Sequence, residues 1–262
     1  MSRFLLVLSL ACLVACDSEE KDMSDTGDWG TTGTTGTTGT TGTTGTTGTT
    51  GTDGMAMLRV FHLGYNVPGV DIFVNDGEAP LVADLMYETA AGYLEVPAAT
   101  YDVDVAVSPG TAADSVLAVD GLALTDGAVV TVVAYGELNT FISAAVLNDE
   151  AGGLDDDTMR VNVFHGAFDV GQVDIWNITD MDAPAMLLEN VDLGASATLD
   201  LPSASYTLGF DADDDGVPDL SYTIPELPGG AVYDVVAVSE TFPNVHLAAL
   251  LPDNTVVSIS AN

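Results

Sequence analysis

One aspartate-rich run has the residue types and spacing of a calcium-binding loop. Its candidate ligands alternate along the chain: Asp211, Asp213, Asp215, the carbonyl of Val217, and Asp219. Gly216 permits the sharp turn that lets alternate donors converge on one cation. Tyr222 stands where a tight loop carries a bidentate glutamate, so we predict weak calcium binding, with a dissociation constant of about 10⁻⁴–10⁻³ M. An acidic hairpin turn without metal is the alternative.

Two histidines, His62 and His165, lie 103 residues apart, and each is followed by an aspartate, Asp71 or Asp174. Such pairs could form a duplicated ligand site or acid–base site. The alternative is a histidine at a strand end that is bonded to a loop carbonyl or carboxylate. Because no third chemical group recurs with the pairs, we expect this structural role, and also for His246, which lies in an apolar strand.

The N-terminus has the order of a secretory signal that ends in a cysteine. Arg3 precedes an apolar stretch at residues 4–13, which is too short to span a bilayer as a helix. The run Leu13-Val14-Ala15-Cys16 resembles the lipobox of bacterial lipoproteins, in which the signal is removed before a cysteine that becomes acylated. The resemblance implies a signal peptide at residues 1–15 and lipidation of Cys16. It also implies membrane anchoring through N-terminal acyl chains in the bacterial cell envelope, facing the periplasm or the cell surface.

Charge limits the partners of this chain. It has 40 acidic and 4 basic residues and a formal net charge of -36. A nucleic-acid binder needs a basic surface, which these residues cannot build, so we expect no nucleic-acid binding. Self-repulsion favours a monomer. The two cysteines, Cys12 and Cys16, belong to the signal and the lipidation site, so the predicted mature chain has no disulfide.

Composition divides the rest of the chain into a linker and two repeats. Residues 16–54 are acidic and then repeat Thr-Thr-Gly, a pattern with no apolar face, which predicts a disordered linker. Phe61-His62 and Phe164-His165 are 103 residues apart, as are the Val-Asp-Ile runs at 70–72 and 173–175. This period predicts two duplicated domains, at residues 55–150 and 158–262.

Both repeats are predicted to be all-β. Residues 101–107 alternate apolar and polar side chains, which indicates a half-buried strand, whereas residues 129–134 are almost continuously apolar, which indicates a central strand covered on both sides. Glycine and proline recur at short intervals, as they do in sandwiches. We therefore predict two tandem immunoglobulin-like β-sandwich domains of about seven or eight strands each.

Recurring segments carry a family resemblance. Each repeat has a strand ending in histidine, then a Val-Asp-Ile strand, then a proline followed four residues later by tyrosine. These segments are residues 58–62, 70–72 and 96–101 in the first copy and 161–165, 173–175 and 201–206 in the second. They resemble the bacterial family called domain of unknown function 4397. The resemblance implies an exported β-sandwich, often in tandem and often lipidated, with no established activity.

No common catalytic motif is present in the sequence. It has no Gly-x-Ser-x-Gly elbow, no His-Glu-x-x-His helix and no phosphate-binding loop. We therefore expect a non-enzymatic envelope protein with a binding or structural role, whose partner is an envelope protein or polysaccharide. An envelope hydrolase or polysaccharide-processing enzyme is the alternative.

Overall fold

Nearly all of the regular structure is β-strand, and it falls into two halves along the chain. The computed structural model describes residues 54–241 and 243–262. The predicted signal peptide, Cys16 and the linker up to residue 53 lie outside the described residues.

The first half has nine described strands and one short 3₁₀ helix, Ala112–Asp114. The strands are β1 (Met55–Tyr65), β2 (Val70–Val74), β3 (Val82–Leu85), β4 (Thr89–Ala90), β5 (Leu94–Pro97), β6 (Ala99–Val107), β7 (Ser115–Leu124), β8 (Val129–Glu137) and β9 (Phe141–Asn148). The second half also has nine described strands. They are β10 (Thr158–His165), β11 (Val173–Asn177), β12 (Ala185–Val191), β13 (Ser196–Pro202), β14 (Tyr206–Asp211), β15 (Leu220–Ile224), β16 (Val232–Thr241), β17 (Asn244–Leu250) and β18 (Val256–Ser260).

Each half is a sandwich of two sheets, which confirms the predicted all-β sandwich class. In the first half, the sheet that we call the inner sheet has the order β4-β1-β8-β9, with β5 also pairing with β1, and the outer sheet has the order β3-β2-β6-β7. In the second half, the inner sheet has the order β13-β10-β16-β17-β18 and the outer sheet β12-β11-β14-β15. The strand count exceeds the predicted seven or eight because short strands such as the two-residue β4 show no alternation in sequence.

The two halves share the same register at their centres. Strand β1 runs parallel to β8 with Phe61 opposite Val133, and β10 runs parallel to β16 with Phe164 opposite Val236. The turn before the long central strand of each outer sheet is also built alike. Tyr101 and Tyr206 each donate a hydrogen bond to the carbonyl of the proline four residues earlier, at 2.7 and 2.9 Å. A tyrosine that closes a corner in this way is typical of immunoglobulin-like sandwiches.

The inner sheets pack against each other, and this contact explains the continuous apolar runs. In β1, Leu58 and Val60 face the core of the first half, whereas Phe61 and Leu63 face the second half. In β8, Val132 likewise faces the core of the first half, and Val133 faces the second half. The prediction that residues 129–134 form a strand covered on both sides is therefore confirmed.

A third apolar cluster joins the two halves. Its aromatic centre is the edge-to-face pair Tyr135 and Phe164, whose ring centroids lie 4.8 Å apart. The described residues accordingly belong to one compact unit, and the domain limits 55–150 and 158–262 stay a prediction. Within the described residues, no helix has the length and apolar character needed to cross a membrane.

Candidate functional site

The aspartate loop is the turn of the β14–β15 hairpin, and Asp211 organises it. The Asp211 side chain is buried, and its Oδ1 accepts hydrogen bonds from the amides of Asp213 and Asp214, at 3.3 and 2.9 Å. Its Oδ2 accepts a third bond from the amide of Gly216, at 2.8 Å. Gly216 has a φ of +80°, a conformation that glycine adopts without a steric cost. The glycine therefore makes the sharp turn that its position in the sequence indicated.

Three of the predicted ligands lie together. Asp211, Asp213 and Asp215 each offer an oxygen within 4.8 Å of the others. Asp219 instead accepts a hydrogen bond from the amide of Ala212, at 2.9 Å, and so closes the base of the loop. The pKa of the Asp213 carboxyl is raised, chiefly by the negative charge of Asp215. The loop therefore concentrates negative charge that a cation would offset.

The equivalent histidines are both bonded to their own loops. Nε2 of His62 lies 3.2 Å from the carbonyl oxygen of Pro68, and Nε2 of His165 lies 2.8 Å from that of Gly171. Burial lowers the pKa of both rings, which favours neutral imidazoles that donate from Nε2. This geometry is the expected structural role. The strand end predicted at His165 is confirmed, whereas β1 continues to Tyr65, so the strand end predicted at His62 was wrong. His246 instead has a carboxylate partner in the first half, since its Nε2 lies 2.6 Å from Oε1 of Glu88.

The aspartates that follow the histidines bond to the backbone of the next strand in their outer sheet, β3 or β12, and Asp71 also bonds to a loop. The Asp71 carboxylate accepts from the amides of Asp84 and Gly110, at 2.8 and 3.0 Å, and the Asp84 bond is the main reason why its pKa is lowered. Asp174 accepts from the amide of Asn190 at 2.6 Å. The histidines and aspartates that recur in the two halves therefore bond to backbone groups of nearby loops and strands.

A buried charge cluster between the two halves was missed by the sequence reasoning. We define it as Arg59, Tyr93, Thr131, Asp149, Asn162 and Asp234. Arg59 projects from β1 toward the second half, and its guanidinium donates to Asp234 at 2.9 Å and to Asp149 at 3.2 Å. It also donates to the Thr131 hydroxyl at 2.8 Å, and its Cζ lies 4.4 Å from the centre of the Tyr93 ring. Arg59 is 1% exposed and Asp234 is 0% exposed, so water does not screen these charges.

Neutral groups complete the hydrogen bonds of the cluster. The Asn162 amide donates to Asp234 at 2.9 Å and to Asp149 at 3.3 Å. The hydroxyls of Thr131 and Tyr93 donate to the Asp149 carboxylate, at 2.5 and 2.6 Å. One guanidinium therefore serves two buried carboxyl groups. Burial, followed by the charge of Asp149, raises the pKa of Asp234 to about 7.

The cluster breaks the equivalence of the two repeats. With the 103-residue offset, Arg59 corresponds to Asn162 and Thr131 corresponds to Asp234. Each pair of equivalent positions therefore supplies one charged and one neutral side chain to a single shared site. The available signal was an arginine within an apolar strand of a chain that has only 4 basic residues.

Two cavities lie in the second half. An apolar cavity of about 50 Å³ lies within its core, and a groove of about 370 Å³ opens beside the aspartate loop. Neither is lined by His62 or Asp71. His165, the equivalent of His62, lines the apolar cavity without Asp174.

Known proteins match part of this all-β sandwich. The family model described as "Domain of unknown function (DUF4397)" matches residues 56–176, from β1 to Trp176 in β11. No curated protein matches the chain. Among solved structures, the chain is similar to one described as a "putative adhesin from Bacteroides ovatus", with 11% identity, a TM-score of 0.22, and coverage of 78% of this chain and 95% of that one.

Proposed function

We propose that this protein is an exported, lipid-anchored protein of the bacterial envelope that has a binding or structural role and no enzymatic activity. The observation that carries the proposal is that its recurring histidines bond to the loops that follow them, and its recurring aspartates bond to the backbone of the neighbouring strand. Side chains whose polar atoms bond to the protein's own backbone stabilise local structure and are less available to a substrate. The DUF4397 match at residues 56–176 supports the β-sandwich part and names no activity.

Cys16 is the proposed anchor, and its replacement tests the location. The change Cys16→Ser removes the thiol that acylation requires, so we expect the protein to leave the membrane fraction. Three acyl chains exceed the two signals that stable anchoring needs, so the wild type should stay with membranes in high salt. Cys12→Ser is the matched control and should behave as wild type. Equal membrane association of the Cys16 variant would contradict the anchor, and turnover of an envelope polysaccharide by the purified protein would contradict the non-enzymatic role.

We propose that calcium stabilises the second half through Asp211, Asp213, Asp215, the Val217 carbonyl and Asp219. The support is the 4.8 Å grouping of three carboxylates and their mutual repulsion. With a dissociation constant of about 10⁻⁴–10⁻³ M, calcium at about 10 mM adds about 1.4–2.7 kcal/mol. We therefore expect Tm to rise by about 3–10 °C over its value in chelator.

The calcium prediction has a matched pair of variants. Asp213→Ala should lose the rise in Tm, whereas Asp120→Ala, at an exposed position on β7, should keep it. The same rise in both variants would show a general charge effect on an acidic protein. Either that result or the absence of any rise in wild type would rule out this site.

A further inference from the structure

The groove of about 370 Å³ lies between two turns of the second half. One wall comes from the connection between β11 and β12, and the other from the β14–β15 turn. Its apolar lining includes Trp176, Ile178, Met181, Pro184, Val217 and Pro218. Met181 is 74% exposed and Val217 is 63% exposed, so two large apolar side chains stand in water in the free protein. An exposed apolar groove of this kind is typical of an interaction site.

The same two turns carry a dense set of carboxylates. Their exposed acidic residues are Asp180 and Asp182 on one turn and Asp213, Asp214, Asp215 and Asp219 on the other. Asp219 also lines the groove. The described part of the chain has two basic residues, of which Arg59 is buried and Arg160 is paired with Asp200 at 2.8 Å. No lysine or arginine among the described residues is therefore free to neutralise this rim.

We infer that the groove docks a basic segment of a partner protein. The aliphatic stems of lysine or arginine side chains would cover Met181 and Val217, and their charged ends would reach the aspartates of both turns. This inference rests on the proposed binding role and adds the chemistry of the partner. A second copy of this chain does not fit, because a formal net charge of -36 makes the copies repel each other. An anionic polysaccharide is excluded from the groove by the same charge.

Trp176 provides a reporter in the groove itself. The chain has two tryptophans, so in a Trp29→Phe background Trp176 is the single one. The full chain is titrated with a short peptide of alternating lysine and leucine, at low salt and with chelator present so that no metal competes. We expect a saturable change in Trp176 emission. The same peptide with glutamate in place of lysine should produce none.

Variants distinguish peptide binding at the groove from general electrostatic attraction of a basic peptide to an acidic protein. Asp180→Asn with Asp182→Asn should weaken binding about fivefold, the size expected for the loss of two exposed ion pairs. Met181→Ser should weaken it by a similar factor, and its exposure means that folding is not at risk. Asp120→Asn with Asp126→Asn removes two exposed acids from the first half and is the matched control.

The outcomes are distinct. Weakening confined to the groove variants supports the inference. Equal weakening in the control pair, binding of the glutamate peptide, or no change in emission overturns it. Binding of an uncharged oligosaccharide at the groove in place of the lysine peptide would also overturn it. None of these results affects the membrane fractionation of Cys16→Ser, so a failure here is distinguishable from a failure of the proposed anchoring.

Discussion

Replacement of Arg59 by methionine is expected to lower the free energy of unfolding by about 3–5 kcal/mol at pH 8. Methionine keeps most of the apolar length of the side chain but removes the guanidinium that serves Asp149 and Asp234. Both carboxyl groups then remain buried at the contact between the halves without a counter-ion, and Asp234 must take up a proton, because Arg59 had lowered its pKa. Urea unfolding of wild type and variant measures the loss.

Arg160→Met is the matched control for this prediction. Arg160 forms two hydrogen bonds to Asp200, but that carboxylate is about half exposed, so water screens the pair and its loss should change stability little. A double variant, Arg59→Met with Asp234→Asn, should recover part of the loss because only one buried carboxylate is left. Equal losses in the two single variants would show that the buried charge cluster is not the source of the effect.

Mild acid is expected to strengthen the contribution of Asp234 to stability. Its pKa is about 7 in the folded protein, against about 3.9 for an unfolded aspartate. Between these values the folded state keeps a proton that the unfolded state releases. The stabilisation is therefore complete below about pH 3.9 and is lost as the pH rises through about 7, with a change on the order of 2 kcal/mol between pH 7 and pH 5.

The buried histidines have the opposite effect on the pH dependence of the unfolding free energy. Their effect must therefore be separated from that of Asp234. Because burial lowers the pKa of His62 and His165, their contribution is complete above the unfolded value of about 6.5 and is lost as the pH falls. Comparison of Asp234→Asn with wild type at each pH cancels this common effect. The variant should be at least as stable as wild type at pH 8, because Arg59 and Asp149 then form a one-to-one pair.

The order of stability of wild type and Asp234→Asn should reverse at lower pH. At pH 5 the wild type should have the advantage of its protonated Asp234, which the variant lacks. Unfolding free energies measured in urea across this range give the difference directly. If the difference in unfolding free energy between wild type and variant stays constant from pH 5 to pH 8, the raised pKa of Asp234 is contradicted.

Local features of this protein were predictable from its sequence because neighbouring residues determine them. The turn at Gly216 follows from the aspartate spacing around it, and the half-buried strand β6 follows from the alternation at residues 101–107. The end of β10 at His165 was also predicted correctly, although β1 continues three residues beyond the equivalent His62. In each case the partners lie within a few residues along the chain or within one repeat.

Contacts between distant segments were not predictable in the same way. The apolar run at residues 129–134 indicated a strand covered on both faces, but not that the second half of the chain covers it. In the sequence, Arg59 indicates only that the chain has too few basic residues for nucleic-acid binding. Its partner Asp234 lies 175 residues away, and nothing in the spacing joins them. The walls of the groove likewise come together only because β11 pairs with β14.

The back-to-back contact of the inner sheets limits how the repeat can be extended. Each inner sheet has one face on its own core and the other on the opposite inner sheet, so neither has a face left for another repeat. A longer tandem could not be assembled by adding copies through this contact, as stacked solenoid repeats are. The contact between inner sheets therefore joins two repeats and leaves no inner-sheet face for a third. A binding partner must contact an outer sheet, a loop or a sheet edge.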